Sequence, residues 1–151
     1  MSKSYSIELI KKLSDANGVS GFEDEIAELA KKEIGNDYHT EEDKIRNLYI
    51  NNIPKEKRTK PVIMLDAHSD EVGFMVQSIE PNGLLKFITL GGWSNQQIPA
   101  HKVKVQNNEG EYIEGIISSI PPHFTSKAEA GKVTDIKDMF IDVGTTSYEE
   151  T

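Results

Sequence analysis

The run Pro61-Val62-Ile63-Met64-Leu65-Asp66-Ala67-His68 constrains this chain more than any other feature. Its apolar residues are consecutive rather than alternating. An extended backbone there presents apolar side chains to both faces. Such a strand is stable only when covered on both sides, as in a sheet flanked by helices. Two segments upstream are predicted to supply that cover. In the first, Leu9, Ile10, Leu13 and Ala16 make one helical stripe. Ser4 or Ser6 is placed to cap its start, and Gly18, in a left-handed conformation, to end it. The second helix is predicted over Glu23 to Ile34. Glu23, Asp24 and Glu25 lie in its first turn and Lys31 and Lys32 in its last, an order that suits the helix dipole. Ile26, Leu29, Ala30 and Ile34 face inward, and Gly35 ends it.

After Gly73 the texture changes. Asn47–Ile50 already reads as a short strand, and beyond residue 73 nothing has helical period. Phe74–Glu80 and Leu84–Leu90 flank Pro81-Asn82-Gly83, a hairpin signal. Val103–Gln106 and Tyr112–Ser118 flank Asn107-Asn108-Glu109-Gly110, a second one. Residues 121–138 read as a long loop, a length usually kept for function or mobility. Phe140–Val143 is a last strand, and Gly144–Thr151 leads toward a helix. The expected class is therefore α/β: two helices and an interior strand over residues 1–73, a β-rich part over 74–143, and a return segment at 144–151.

Composition removes several functions. The net charge is −8, whereas phosphate binding needs a basic face, so no nucleic-acid partner is expected. The basic cluster Lys55–Lys60 reads as a solvated loop. With no cysteine, a disulfide framework and a thiolate metal site are both excluded. The apolar runs are too short to span a bilayer, and no apolar stretch follows the N-terminus as in a secretory signal, so a cytoplasmic location and no membrane partner are expected. A hydrophobic content of 36% with 28% charged residues suits a chain with a real core.

Chemistry concentrates at Asp66-Ala67-His68-Ser69-Asp70-Glu71, at the C-terminal end of the apolar run, where open α/β sheets hold ligands. Imidazole binds zinc- and cobalt-class metals, and carboxylates complete such sites. In an extended segment Asp66, His68 and Asp70 point to one side and Glu71 to the other. Asp70 can then hold the second ring nitrogen of His68 or position a general base. Two other readings stay open at this level: a polar strand end, and a pH-sensitive histidine among carboxylates. Zinc takes three or four protein ligands, and His39, His101 and His123 lie in three other segments. His39 with Glu41, Glu42 and Asp43 reads as an acidic loop rather than a ligand set.

Several motifs together resemble the M42 family of metallo-aminopeptidases. Asn17-Gly18-Val19-Ser20-Gly21-Phe22-Glu23 is similar to its GxSGxE pattern, and Asp66–Phe74 to its DAHxDEVGF motif. Gly91-Gly92-Trp93, Ile120-Pro121-Pro122-His123 and Ile141-Asp142-Val143-Gly144 follow in the same order. The family often has Met where Ser69 stands. The resemblance implies an α/β catalytic domain interrupted near Gly73 by a barrel-like dimerisation domain. It implies a divalent metal pair, zinc or cobalt, in the complete enzyme, with His68 as one metal ligand and Asp70 as the nearby catalytic carboxylate. It also implies that the remaining ligands and the catalytic glutamate lie beyond Thr151. The chain alone is then expected to hold at most one weak metal site and to be inactive on peptides, the substrates of the complete enzyme. A homo-oligomer through the β-rich part, and the complementary C-terminal half, are the expected protein partners.

Other readings carry less. Trp93 can stack on a ligand, or pack on the barrel or at an interface, which its flanking strand favours. Gly91 and Gly92 lack the strand–turn–helix setting of a phosphate loop. Ser20 and Ser69 have no base at motif spacing, against a serine hydrolase. A non-catalytic oligomerisation module is the main alternative. An endoglucanase-type glycosidase needs carboxylates that straddle a sugar, and Asp66, Asp70 and Glu71 are too close in sequence for that.

Overall fold

The computed structural model describes residues 3–51, 53–118, 121–124, 126 and 132–151. Contacts concentrate within two units, Met1–Glu71 and Val72–Thr151. Among the described residues no helix is long and apolar enough to cross a membrane.

The first unit opens with helix α1, Lys3–Asp15, and helix α2, Asp24–Ile34. Since α1 already includes Lys3, Ser4 and Ser6 lie inside its first turn rather than at the position before it. Gly18 is not in the left-handed region either; α1 has ended at Asp15, and Gly18 is needed for space. A Cβ there would meet Ile26 Cγ2 at 3.1 Å. Gly35 does end α2, at φ 63°, its N–H bonding to the carbonyl of Lys31. Only Ile26 and Ala27 of α2 are fully buried. Glu33 ties the helices together, accepting from Lys12 Nζ at 2.8 Å and from Tyr5 Oη at 3.2 Å.

Strands β1, Thr40–Glu42, and β2, Leu48–Ile50, form an antiparallel hairpin. The acidic composition of β1 had suggested a loop. Asp43 makes the strand possible by closing the turn: Oδ1 accepts the N–H groups of Ile45 and Asn47, each at 3.0 Å, and Oδ2 accepts from Asn47 and Tyr49. Arg46, left-handed at φ 68°, bonds Glu42 and Asp24, and Lys31 reaches Glu42 at 2.6 Å, so charge pins the hairpin to α2.

The interior strand expected at Val62–Leu65 does not form. Residues 61–70 belong to no strand, and Val62, Ile63, Met64 and Leu65 are 49%, 87%, 79% and 93% exposed. The reason is pairing: a strand exists through its neighbours' N–H and C=O groups, and no described residue offers 61–70 a ladder. The elements described for this part are two helices and a two-stranded sheet, without the expected interior strand.

The second unit completes its own pairing. Strands β3 (Gly73–Ile79), β4 (Leu85–Leu90), β5 (Lys102–Gln106), β6 (Tyr112–Ser118) and β7 (Phe140–Asp142) form a curled antiparallel half-barrel in the order β3-β4-β7-β6-β5. Both predicted hairpins are present. The register shifts between Val76 and Ser78, a bulge that bends β3. The last strand, β7, enters between the hairpins, pairing Ile141 with Leu85 on one side and with Ile117 on the other. Those three residues, with Phe87, Ile98 and Met139, are the buried core. Residues 120, 125 and 127–131 of the expected motif and loop lie outside the described residues; the rest of 121–138 contains single 3-10 turns at Pro122–Phe124 and Ile136–Asp138. Near the C-terminus residues 148–150 form a hydrogen-bonded turn. Ser147 Oγ accepts the N–H of Glu150, Glu150 Oε2 accepts the N–H of Thr146, and Thr151 N–H reaches the carbonyl of Ser147 at 3.3 Å.

Two outcomes follow for stability. Gly83 and Gly110 turn the two hairpins at φ 82° and 84°, but a Cβ on Gly83 would also meet Thr145 backbone at 3.0 Å, whereas Gly110 has open space. Gly110→Ala is expected to cost about 1 kcal/mol and Gly83→Ala at least about 2 kcal/mol, read from urea unfolding followed by Trp93 emission. Acid should unfold the first unit before the second. Lys12 holds the Glu33 carboxyl below its usual range, Lys31 does so for Glu42, and the Asn47 amide for Asp43. Lowered folded values mean the stabilisation is complete above the unfolded pKa values and disappears as pH falls through the folded ones. The helical far-UV signal is expected to fade below about pH 4 while Trp93 emission persists; simultaneous loss of both would contradict this.

Candidate metal site at His68

His68 and Asp70 follow the exposed apolar run, four and two residues before Val72, where the second unit begins. His68 Nδ1 lies 3.1 Å from Asp70 Oδ1 and 3.1 Å from the Asp70 carbonyl oxygen. Both oxygens are acceptors, so this geometry selects the tautomer with the proton on Nδ1. The lone pair is then on Nε2, which makes no hydrogen bond among the described residues. That is the arrangement of a metal-ligating imidazole whose second nitrogen is held by a carboxylate. The His68 side chain is 86% exposed, so solvent reaches it freely.

The neighbouring carboxylates have different surroundings. Asp66 makes no hydrogen bond or ion pair among the described residues. Glu71 turns to the loop after α1: its N–H donates to the carbonyl of Gly18 at 2.8 Å, and its Oε1 accepts the N–H of Gly18 at 3.2 Å. Val19 and Glu71 form an isolated parallel bridge. Nothing in the residue pattern pointed to this link, because Gly18 had been assigned to helix termination.

The other histidines stay apart. His39 Nε2 pairs with Glu41 at 3.0 Å along β1. His101 packs edge-on against Trp93 with ring centres 6.1 Å apart, and His123 is exposed in a 3-10 turn. Trp93 itself is occupied by packing. It stacks on Phe74 at 4.6 Å, and its Nε1 donates to the Gly73 carbonyl at 3.0 Å. Among the described residues no three His, Cys, Asp or Glu side chains converge on one point. The donor chemistry at His68 fits a zinc- or cobalt-class ion as one arm of a site, and the number of donors falls short of a whole site.

Comparison with known proteins bears on what the rest of such a site belongs to. The family of M42 glutamyl aminopeptidases matches residues 47–151. The lysyl aminopeptidase of Pyrococcus furiosus is 31% identical over 95% of this chain and 41% of its own length. Among solved structures, a TET aminopeptidase from a marine-sediment thaumarchaeon superposes with a TM-score of 0.85 at 40% identity, over 97% of this chain and 40% of that one. The TET1 peptidase of Pyrococcus horikoshii, described as assembling into a tetrahedron or a large octahedral shell, gives 0.77 at 29% identity over 95% of this chain and 42% of that one. The chain thus spans about two fifths of the length of the curated relatives it matches first.

Asp70→Ala removes the side-chain acceptor at Nδ1. The neutral His68 ring is expected to shift its proton population from Nδ1 toward Nε2, read by long-range proton–nitrogen correlation. An unchanged tautomer ratio would mean that the carboxylate does not hold the ring in solution.

Proposed function

The chain belongs to the M42 glutamyl aminopeptidase family, and on that premise we propose that it is the N-terminal portion of a metal-dependent aminopeptidase that removes N-terminal residues from peptides. The carrying observation is the His68–Asp70 pair within the family's motif, with Nδ1 held by the carboxylate. His68 would give Nε2 to one ion of a zinc or cobalt pair. Asp70 fixes the ring's tautomer and orientation, acting beside the reaction without being a ligand. A bound pair supplies Lewis-acid polarisation and an activated water. The other ligands and the base are assigned to the three fifths of the relatives' length that this chain does not span.

This reading also gives the exposed run a place. Val62–Leu65 suits a strand covered on both faces, and the catalytic domain of the longer protein would supply the ladder and the cover. Residues 1–73 are then the start of that domain, residues 74–143 a dimerisation-type domain, and residues 144–151 the return. Self-contained pairing in Val72–Thr151 favours a homo-oligomer built on that unit, as the described assemblies of the TET1 relative suggest by analogy. The same pairing would let the unit serve as a non-catalytic oligomerisation module. The compartment proposed is the cytoplasm.

The 151-residue chain alone is expected to show no turnover of aminoacyl chromogenic substrates with cobalt or zinc, and to bind either metal only weakly. Nanomolar zinc affinity abolished by His68→Ala would contradict the single-arm account. Substituted for the matching part of the thaumarchaeal aminopeptidase, the chain should support metal-dependent turnover, with kcat/KM falling on the order of a hundredfold or more in His68→Ala. A folded, metal-loaded chimera that is indifferent to His68→Ala would sink the assignment.

A further inference from the structure

We infer that Glu71 is a positioning residue for the His68–Asp70 pair, acting by clamping both backbone polar groups of Gly18. The inference rests on the proposed role of His68. It starts from a mechanical difficulty: residues 61–70 have no strand neighbour, yet His68 must be presented in a defined orientation. The hold comes immediately afterwards in sequence. Glu71 donates its N–H to the Gly18 carbonyl at 2.8 Å and accepts the Gly18 N–H on Oε1 at 3.2 Å. One residue therefore satisfies both the donor and the acceptor of another, which fixes relative orientation as well as distance.

Gly18 is itself backed by structure. It is buried, and the ideal Cβ position on it lies 3.1 Å from Ile26 Cγ2 and 3.5 Å from the Ser69 carbonyl oxygen. Ile26 is a buried residue of α2. The preceding Asn17 donates from Nδ2 to Glu25 Oε2, also on α2, at 2.7 Å. A continuous path thus runs from α2 through Asn17 and Gly18 to Glu71, and by one peptide bond to Asp70, whose carboxylate meets His68. The path also divides labour among adjacent acids. The Glu71 carboxylate faces a backbone amide, while that of Asp70 faces the imidazole.

Charge and reach can be separated by substitution in the full chain. Glu71→Gln keeps an oxygen acceptor at the same length without charge. Glu71→Asp keeps the charge but is one methylene too short for Gly18. Two metal-free readouts apply: hydrogen exchange of the Gly18 amide and the His68 tautomer ratio by nitrogen NMR, with Trp93 emission reporting that the second unit is folded. Glu71→Gln is expected to match the unsubstituted chain in both. Glu71→Asp is expected to speed Gly18 exchange about tenfold, the loss of roughly one hydrogen bond, and to move the His68 ratio toward that of Asp70→Ala. A His68 ratio that stays fixed while Gly18 exchange rises overturns the inference, leaving a purely local tie. Perturbation by Gln equal to or greater than that by Asp overturns it as well, because an oxygen acceptor at the right length would then not suffice. Neither readout involves metal or turnover, so failure of the aminopeptidase reading in the chimera is distinguishable from failure here.

Discussion

Backbone amides and carbonyls need partners, and a strand obtains them from another strand. Much of this structure follows from where that requirement is met. In Val72–Thr151 five strands satisfy one another, and β7 joins two hairpins that are each local in sequence. Its Ile141 sits against Leu85 and Ile117, so the same strand that completes the ladder completes the core. In Met1–Glu71 the strand pairing among the described residues is a hairpin of three residues a side, with the isolated Val19–Glu71 bridge besides. The most apolar run of the chain has no ladder, and its side chains face solvent.

The first unit is consequently held by other means. Two fully buried side chains of α2 give little apolar burial. Ion pairs at Glu33, Glu42 and Arg46 are partly exposed, and such pairs contribute little each unless they form a network. Asp43 is different in kind, since four donors converge on its carboxylate and define a turn. The contacts of Gly18 with Glu71 belong to the same category: hydrogen bonds that fix geometry rather than supply large stabilisation. The candidate site depends on this second category, because His68 is exposed and no packed wall orients it.

Local signals were legible in the residues. Asn82-Gly83 and Asn107–Gly110 announced both hairpins, because left-handed turn positions select glycine and asparagine. Gly35 announced the end of α2 for the same reason. His68 and Asp70 stood out because an imidazole two residues from a carboxylate on an extended segment points to the same side. Illegible features depended on distant partners or on competing local bonds. Thr40–Glu42 looked like a loop until Asp43 organised the turn. Gly18 looked like a helix terminator, whereas its lack of a side chain serves the approach of Ile26 and Ser69. Val62–Leu65 looked like an interior strand, and its pattern is that of one; a pattern describes which environment suits a segment, not whether the environment is present.

The sequence by itself determined the turns, the helical stripe of α2, the absence of thiolate chemistry, and the motif that holds His68 and Asp70. These depend on residue type and spacing within a few positions, where sterics and side-chain chemistry act directly. Only the tertiary structure decided that β7 lies between β4 and β6, that Trp93 is used for packing on Phe74, and that Glu71 is bound to Gly18. Each of those joins residues far apart in the chain, and the chain pays the entropy of closing such loops only where several contacts form together.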